Sequence, residues 1–174
     1  MGMRVTQMMN ARTIFNCFWV AGLVGLALPV HADGLREVEQ TIFGMDCAPC
    51  AYGIEQGLKK LRGVTGVRVS LNEGQAVVTL AADNATTIED IRKVIRNNGF
   101  TPKAARVTLV GTLVRADDGI WLEAPGLPRY QLRASNEATE AALRARPHRE
   151  TVKVEGEIPE TVTGEVQVMR LQSR

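Results

Sequence analysis

Aromatic side chains are scarce in this chain of 174 residues: two Trp, two Tyr and four Phe leave little surface on which bases could stack. Three cysteines are too few for a disulfide-dense miniprotein. Charge of one sign is lacking too, with 21 Lys and Arg against 19 Asp and Glu, and 45% apolar residues rule out a disordered chain. No clustered basic face marks a nucleic-acid partner. The chain has no Ser with a nearby His and acid, no His pair at metal spacing and no phosphate-cradling Gly loop. It is therefore read as a non-enzyme. No Pro-rich or Ser-rich linker divides it, and its 16 Gly and 7 Pro punctuate short apolar runs instead.

What is there begins with a leader. Arg4 and Arg12 form a basic start, Ile14 to Leu28 is almost wholly apolar, and Val30 and Ala32 satisfy the small-residue rule for cleavage before Asp33. A spanning helix needs about 20 apolar residues, and this run is shorter. Residues 1–32 are expected to be a cleaved signal peptide, with a retained anchor as the alternative. Cys17 leaves with it, and no Leu-x-x precedes that cysteine to suggest a lipid anchor. The expected location is periplasmic or secreted, with no stable membrane insertion after cleavage. Removal takes two arginines and no acid, so 19 bases and 19 acids remain.

Val38 to Phe43 alternates in the strand manner, with Val38, Gln40 and Ile42 on one face. From Ala51 to Leu61 the period changes: Ala51, Ile54, Leu58 and Leu61 recur at helical spacing. Val64 to Leu71 and Ala76 to Leu80 are strands joined by the Asn72-Glu73-Gly74 turn. Thr86 with Glu89, or Thr87 with Asp90, can cap a second helix whose inward stripe is Ile88, Ile91, Val94 and Ile95. The chain resumes extended at Phe100. Strand, helix, strand, strand, helix, strand is the order of a ferredoxin-like βαββαβ sandwich, expected over residues 33–105.

Beyond it, Arg106 to Val114, Ile120 to Glu123, Tyr130 to Leu132, Val152 to Ile158 and Glu165 to Leu171 are strand candidates. The helix candidate Glu137 to Arg146 falls between the third and fourth. That order predicts a small OB-like β-barrel over residues 106–174, with Gly111 and Gly156 allowing sharp strand bends. The fold class is thus α+β, and the last strand of the first half can run directly into the second.

The chemistry concentrates in Gly44-Met45-Asp46-Cys47-Ala48-Pro49-Cys50. A CxxC pair at a helix start puts two sulfurs on one side of a turn, where unpaired backbone N–H groups favour thiolate over thiol. Two such thiolates form a soft-metal clamp. Pro49 fits an early helical position because its missing N–H would have no partner there. Met45 is read as a core anchor for the loop rather than a thioether ligand.

These residues resemble the Gly-Met-x-Cys-x-x-Cys motif of the heavy-metal-associated domain family, which includes copper chaperones, modules of metal-pumping ATPases and periplasmic mercury-binding proteins. Gly63-Val64 and Val67 match that family's Gly-Val-x-x-Val, and Gly99-Phe100 its Gly-aromatic pair, so the resemblance covers about residues 35–107. It implies the sandwich fold and metal binding by Cys47 and Cys50. Asp46 departs from the Thr or Ser of copper-handling members; members serving zinc, cadmium or lead pumps often carry Asp there. Its carboxylate is either a third ligand, suiting Zn(II) better than Cu(I), or a helix cap. The expected cargo is Cu(I), Zn(II) or Hg(II), and the expected partner a metal transporter or another protein.

Phe100 and Tyr52 near the motif are read as packing residues, and His148 as solvated surface. Trp121 and Tyr130 could form a stacking face, but ten bases and ten acids in residues 106–174 supply no attraction for a nucleic acid, and core or protein contact is the better reading of both. Three functions compete: an exported metallochaperone or metal-sequestering module, a thiol-disulfide oxidoreductase, and a protein-binding scaffold with a vestigial metal site.

Overall fold

In the computed structural model, the described residues are 33–174 except 83 and 163. The expected leader, residues 1–32 with Cys17, lies outside them. The alternation around Val38 extends into a ten-residue strand, β1 (Gly34–Phe43), which buries Val38, Gln40 and Ile42 and exposes Phe43. There follow α1 (Ala48–Lys59), β2 (Val64–Ser70), β3 (Gln75–Leu80), α2 (Ile88–Asn97) and β4 (Thr101–Ala116). The strands lie side by side as β2, β3, β1, β4, with antiparallel ladders throughout. The expected βαββαβ order thus closes into its sandwich, with Ile54 and Leu58 of α1 and Ile88, Ile91 and Ile95 of α2 packed into one apolar core.

Thr87, not Thr86, caps α2. Asp90 N–H donates to Thr87 Oγ1 at 3.2 Å and Thr87 N–H donates back to Asp90 Oδ2 at 2.9 Å. The inward stripe departs from expectation at one place: Arg92 is only 1% exposed, while Val94 is half-buried. A charge in a core must be hydrogen-bonded. Arg92 Nη2 donates to the carbonyls of Lys103 (3.2 Å), Ile158 (3.2 Å) and Pro159 (2.9 Å), and Nε donates to Gln40 Oε1 (3.3 Å). Burial still pulls its pKa below the ordinary guanidinium value.

The second half contains β5 (Gly119–Glu123), β6 (Tyr130–Ala134), α3 (Glu137–Ala145), β7 (Thr151–Ile158) and β8 (Glu165–Ser173). β4 pairs with β5, β5 with β6, β6 with β8 in parallel, β8 with β7, and β7 with β4 again. The ladders therefore form a closed circuit, and β4 serves both halves with no residues between them. Its partner on one edge changes from β1, last paired at Val110, to β5, first paired at Thr112.

Gly111 marks that changeover, and a register shift falls between Glu155 and Gly156. A Cβ at Gly111 would lie 2.5 Å from Glu123 O, and one at Gly156 would lie 2.6 Å from Gln167 O. Close strand approach is what excludes a side chain at both positions. Among the described residues, no helix is long and apolar enough to cross a membrane.

Candidate metal centre

β1 delivers the chain to Phe43, and α1 begins five residues later. The intervening loop is pinned by Met45, 7% exposed and part of the core, as expected of an anchor. Cys47 is the N-cap residue of α1, with extended backbone at φ −132° and ψ 143°. Its Sγ accepts from Cys50 N–H at 3.2 Å, and its carbonyl accepts from Cys50 N–H at 3.0 Å and Ala51 N–H at 3.1 Å. Pro49 occupies the first turn. Cys50 is partly buried against the core, and a disulfide joins it to Cys47 with Cα atoms 5.2 Å apart.

Because Cys47 caps the helix, Asp46 does not. The capping alternative for Asp46 is thereby replaced by an exposed carboxylate beside the sulfurs: one oxygen of Asp46 and the Sγ atoms of Cys47 and Cys50 all lie within 4.8 Å of one another. Reduced, this trio offers two soft donors and one hard donor. Oxidised, the sulfur pair can accept two electrons.

Phe100 packs against the core beside Gly44. Tyr52 does not pack as expected; it is 64% exposed, since it stands off the stripe of Ala51, Ile54 and Leu58. Trp121 and Tyr130 form no shared face. Tyr130 is 1% exposed in the core, whereas Trp121 lies under the Arg129 guanidinium, 5.0 Å from the ring centroid, and donates its Nε1–H to Asp118 at 3.0 Å. His148 is exposed, and its Nδ1 accepts from Arg115 N–H at 3.2 Å.

One neighbour escaped the sequence. Lys103 Nζ sits 5.5 Å from the centroid of the exposed Phe43 ring and pairs with Glu160 at 3.0 Å. A lone lysine on a strand carries no signal of such a contact, which depends on pairing across β1, β4 and the end of β7.

The heavy-metal-associated domain profile matches residues 40–101. The mercuric transport protein periplasmic component of Salmonella typhi is 30% identical over 89 residues, covering 51% of this chain and 96% of that protein. Copper chaperone CopZ of Staphylococcus haemolyticus is 33% identical over 60 residues, 34% of this chain and 87% of the chaperone. Copper-transporting ATPase RAN1 of Arabidopsis thaliana is 30% identical over 112 residues; these are 56% of this chain but only 11% of the ATPase. With the CxxC pair set between strand and helix inside the matched span, and a relative aligned over almost its whole length, the chain belongs to the heavy-metal-associated domain family.

Proposed function

We propose that this protein is an exported carrier that clamps a soft or borderline cation between the thiolates of Cys47 and Cys50 and passes it to a partner by stepwise thiolate exchange. The observation that carries this reading is the cluster of Asp46 carboxylate and two sulfurs within 4.8 Å. The cation is cargo, drawn from Cu(I), Zn(II) and Hg(II); relatives named for copper and mercuric transport support the first and last. Asp46, free of capping duty, serves as a third ligand and shifts preference toward a divalent ion.

Loading requires reduction. The Cys47–Cys50 disulfide takes two electrons and two protons from an external dithiol, which is oxidised in turn, and the thiols release their protons as metal binds. The leader-like residues 1–32 and the periplasmic relative support a periplasmic or secreted location. Residues 33–105 hold the cation. Residues 106–174 form an OB-like barrel, a reading supported by the closed circuit of ladders with a helix between its third and fourth strands. The acceptor is a metal transporter, as the ATPase relatives suggest.

The reduced protein is titrated with Zn(II), Cu(I) and Hg(II) in competition with a chromophoric chelator. One ion per chain is expected, abolished when both cysteines become alanine. Asp46→Asn should weaken Zn(II) by about tenfold or more while leaving Cu(I) within about twofold. Equal retention of metal by the cysteine double variant would overturn the proposal. The disulfide itself favours a second reading, a thiol-disulfide oxidoreductase. A disulfide-reductase assay showing turnover without stoichiometric metal uptake would establish that one instead.

A further inference from the structure

Five large apolar side chains stand exposed among the described residues: Phe43, Tyr52, Leu71, Val162 and Met169. The first four collect at the end of the molecule that carries the cysteines. Phe43 closes β1 just before the motif, and Tyr52 lies two residues beyond Cys50. Leu71 begins the β2–β3 turn, which is tied to the end of β1 where Ile42 N–H donates to Gly74 O at 2.7 Å. Leu71 and Tyr52 border one shallow groove with Ala48.

Val162 arrives from the other half. It lies on the β7–β8 connection, whose start is fastened to the cysteine-bearing half: Arg92 Nη2 donates to the carbonyls of Ile158 and Pro159, and Nη1 donates to Glu160 O at 3.4 Å. The Glu160 carboxylate then pairs with Lys103, whose ammonium lies over the Phe43 ring. Val162 follows two residues later. Apolar side chains exposed singly need no explanation, but a group gathered round a reactive site marks an interaction surface.

Charge says what covers it. The carboxylates of Asp46 and Glu73 are exposed and make no ion pair, whereas Lys103 is engaged by Glu160, and Arg96 at the end of α2 by Glu89. Arg68 stands further down β2, opposite Val77. A loaded centre stays acidic too, because two thiolates and Asp46 carry three negative charges against one or two on the cation. We infer that this end, including the β7–β8 connection of the second half, is the docking face for the metal acceptor, a protein whose thiol site is ringed by apolar and basic side chains. The inference rests on the carrier reading and deepens it: the second half supplies part of a recognition surface that a βαββαβ sandwich alone lacks. A second copy of this chain would oppose acid to acid, and an anionic membrane would be repelled likewise.

The test follows Cu(I) leaving the reduced, loaded full chain for three synthetic acceptor peptides by quenched mass spectrometry. All share a Cys-Gly-Gly-Cys core; five-residue flanks, reaching about 16 Å when extended, carry Lys with Leu, Glu with Leu, or Lys with Gly. The Lys and Leu peptide should take the ion about tenfold faster than the Glu and Leu one, with the gap narrowing as salt rises, and the Lys and Gly peptide should fall between them. Val162→Lys should load one ion as the parent does yet deliver it to the Lys and Leu peptide about fivefold more slowly or worse. Met169→Lys, on β8, should deliver at the parental rate. Should Val162→Lys fail to fold, Val162→Ser decides the matter, with transfer slowed by about threefold expected. A parent that loads normally but serves all three peptides equally, or a Val162 variant that delivers at the parental rate, would overturn the docking face alone. A parent that loads no ion would overturn the carrier reading and this inference with it. Sedimentation of the parent, but not of Val162→Lys, with phosphatidylcholine vesicles would assign the face to a membrane and overturn the inference as well.

Discussion

Tyr130 ties the stability of the protein to alkaline pH. Its ring is 1% exposed and its hydroxyl has no hydrogen-bond partner. Burial pushes the phenol up to about 12 from the usual 10, with Asp90 adding to the effect and Arg92 opposing it. A raised folded-state value means that the unfolded chain gives up its proton first. Tyr130 therefore destabilises the fold as pH rises from 10 towards 12, and the loss levels off above the folded value. At about 1.36 kcal/mol per pKa unit, two units amount to about 2.7 kcal/mol. Urea unfolding of the parent and Tyr130→Phe at half-unit steps from pH 8 to 12.5 isolates this contribution, because every other titrating group is common to both. The parent should fall away from the variant by up to about 2.7 kcal/mol, while at pH 8 Tyr130→Phe should match or exceed it by about 1 kcal/mol, having no orphaned hydroxyl to bury. Parallel curves across the range would refute the reasoning.

Arg92→Met keeps the volume but strips the carbonyls of Lys103, Ile158 and Pro159 of a donor. It should cost about 3 kcal/mol in urea unfolding, and a loss below about 1 kcal/mol would show those bonds to be replaceable by water. Gly111→Ala drives a methyl against Glu123 O and should cost about 2 kcal/mol or more, read as a lowered thermal midpoint; an unchanged midpoint would mean that β5 can yield at that point.

The apolar periods disclosed the elements because burial here is regular: Ile54 and Leu58, or Ile88, Ile91 and Ile95, sit where a 3.6-residue repeat puts them. Tyr52 was readable by the same rule, one position off the stripe. The metal motif was visible as a motif, but the role of Asp46 turned on whether it or Cys47 opens α1, a one-residue difference that either side chain would satisfy. Arg92 was hidden for another reason. Apart from Gln40, its partners are main-chain carbonyls up to 68 residues away, and any sequence supplies carbonyls. The bulge of β1 at Arg36 is a register slip, which depends on how two strands meet rather than on either strand alone. The closed circuit likewise needs the parallel contact of β6 with β8 across α3 and β7.

From Ala105 to Val110, β4 is hydrogen-bonded along both of its edges, to β1 and to β7. A truncation ending at residue 105, the natural choice for anyone excising the cysteine-bearing half, would cut into that doubly bonded stretch. It would leave β1 with unpaired amides and carbonyls along its open flank, an invitation to intermolecular strand addition. Clumping of such a fragment would reflect the missing guard rather than any defect of its cysteines. In a crowded compartment the C-terminal half thus acts as a built-in shield that keeps a sticky border out of reach of other chains.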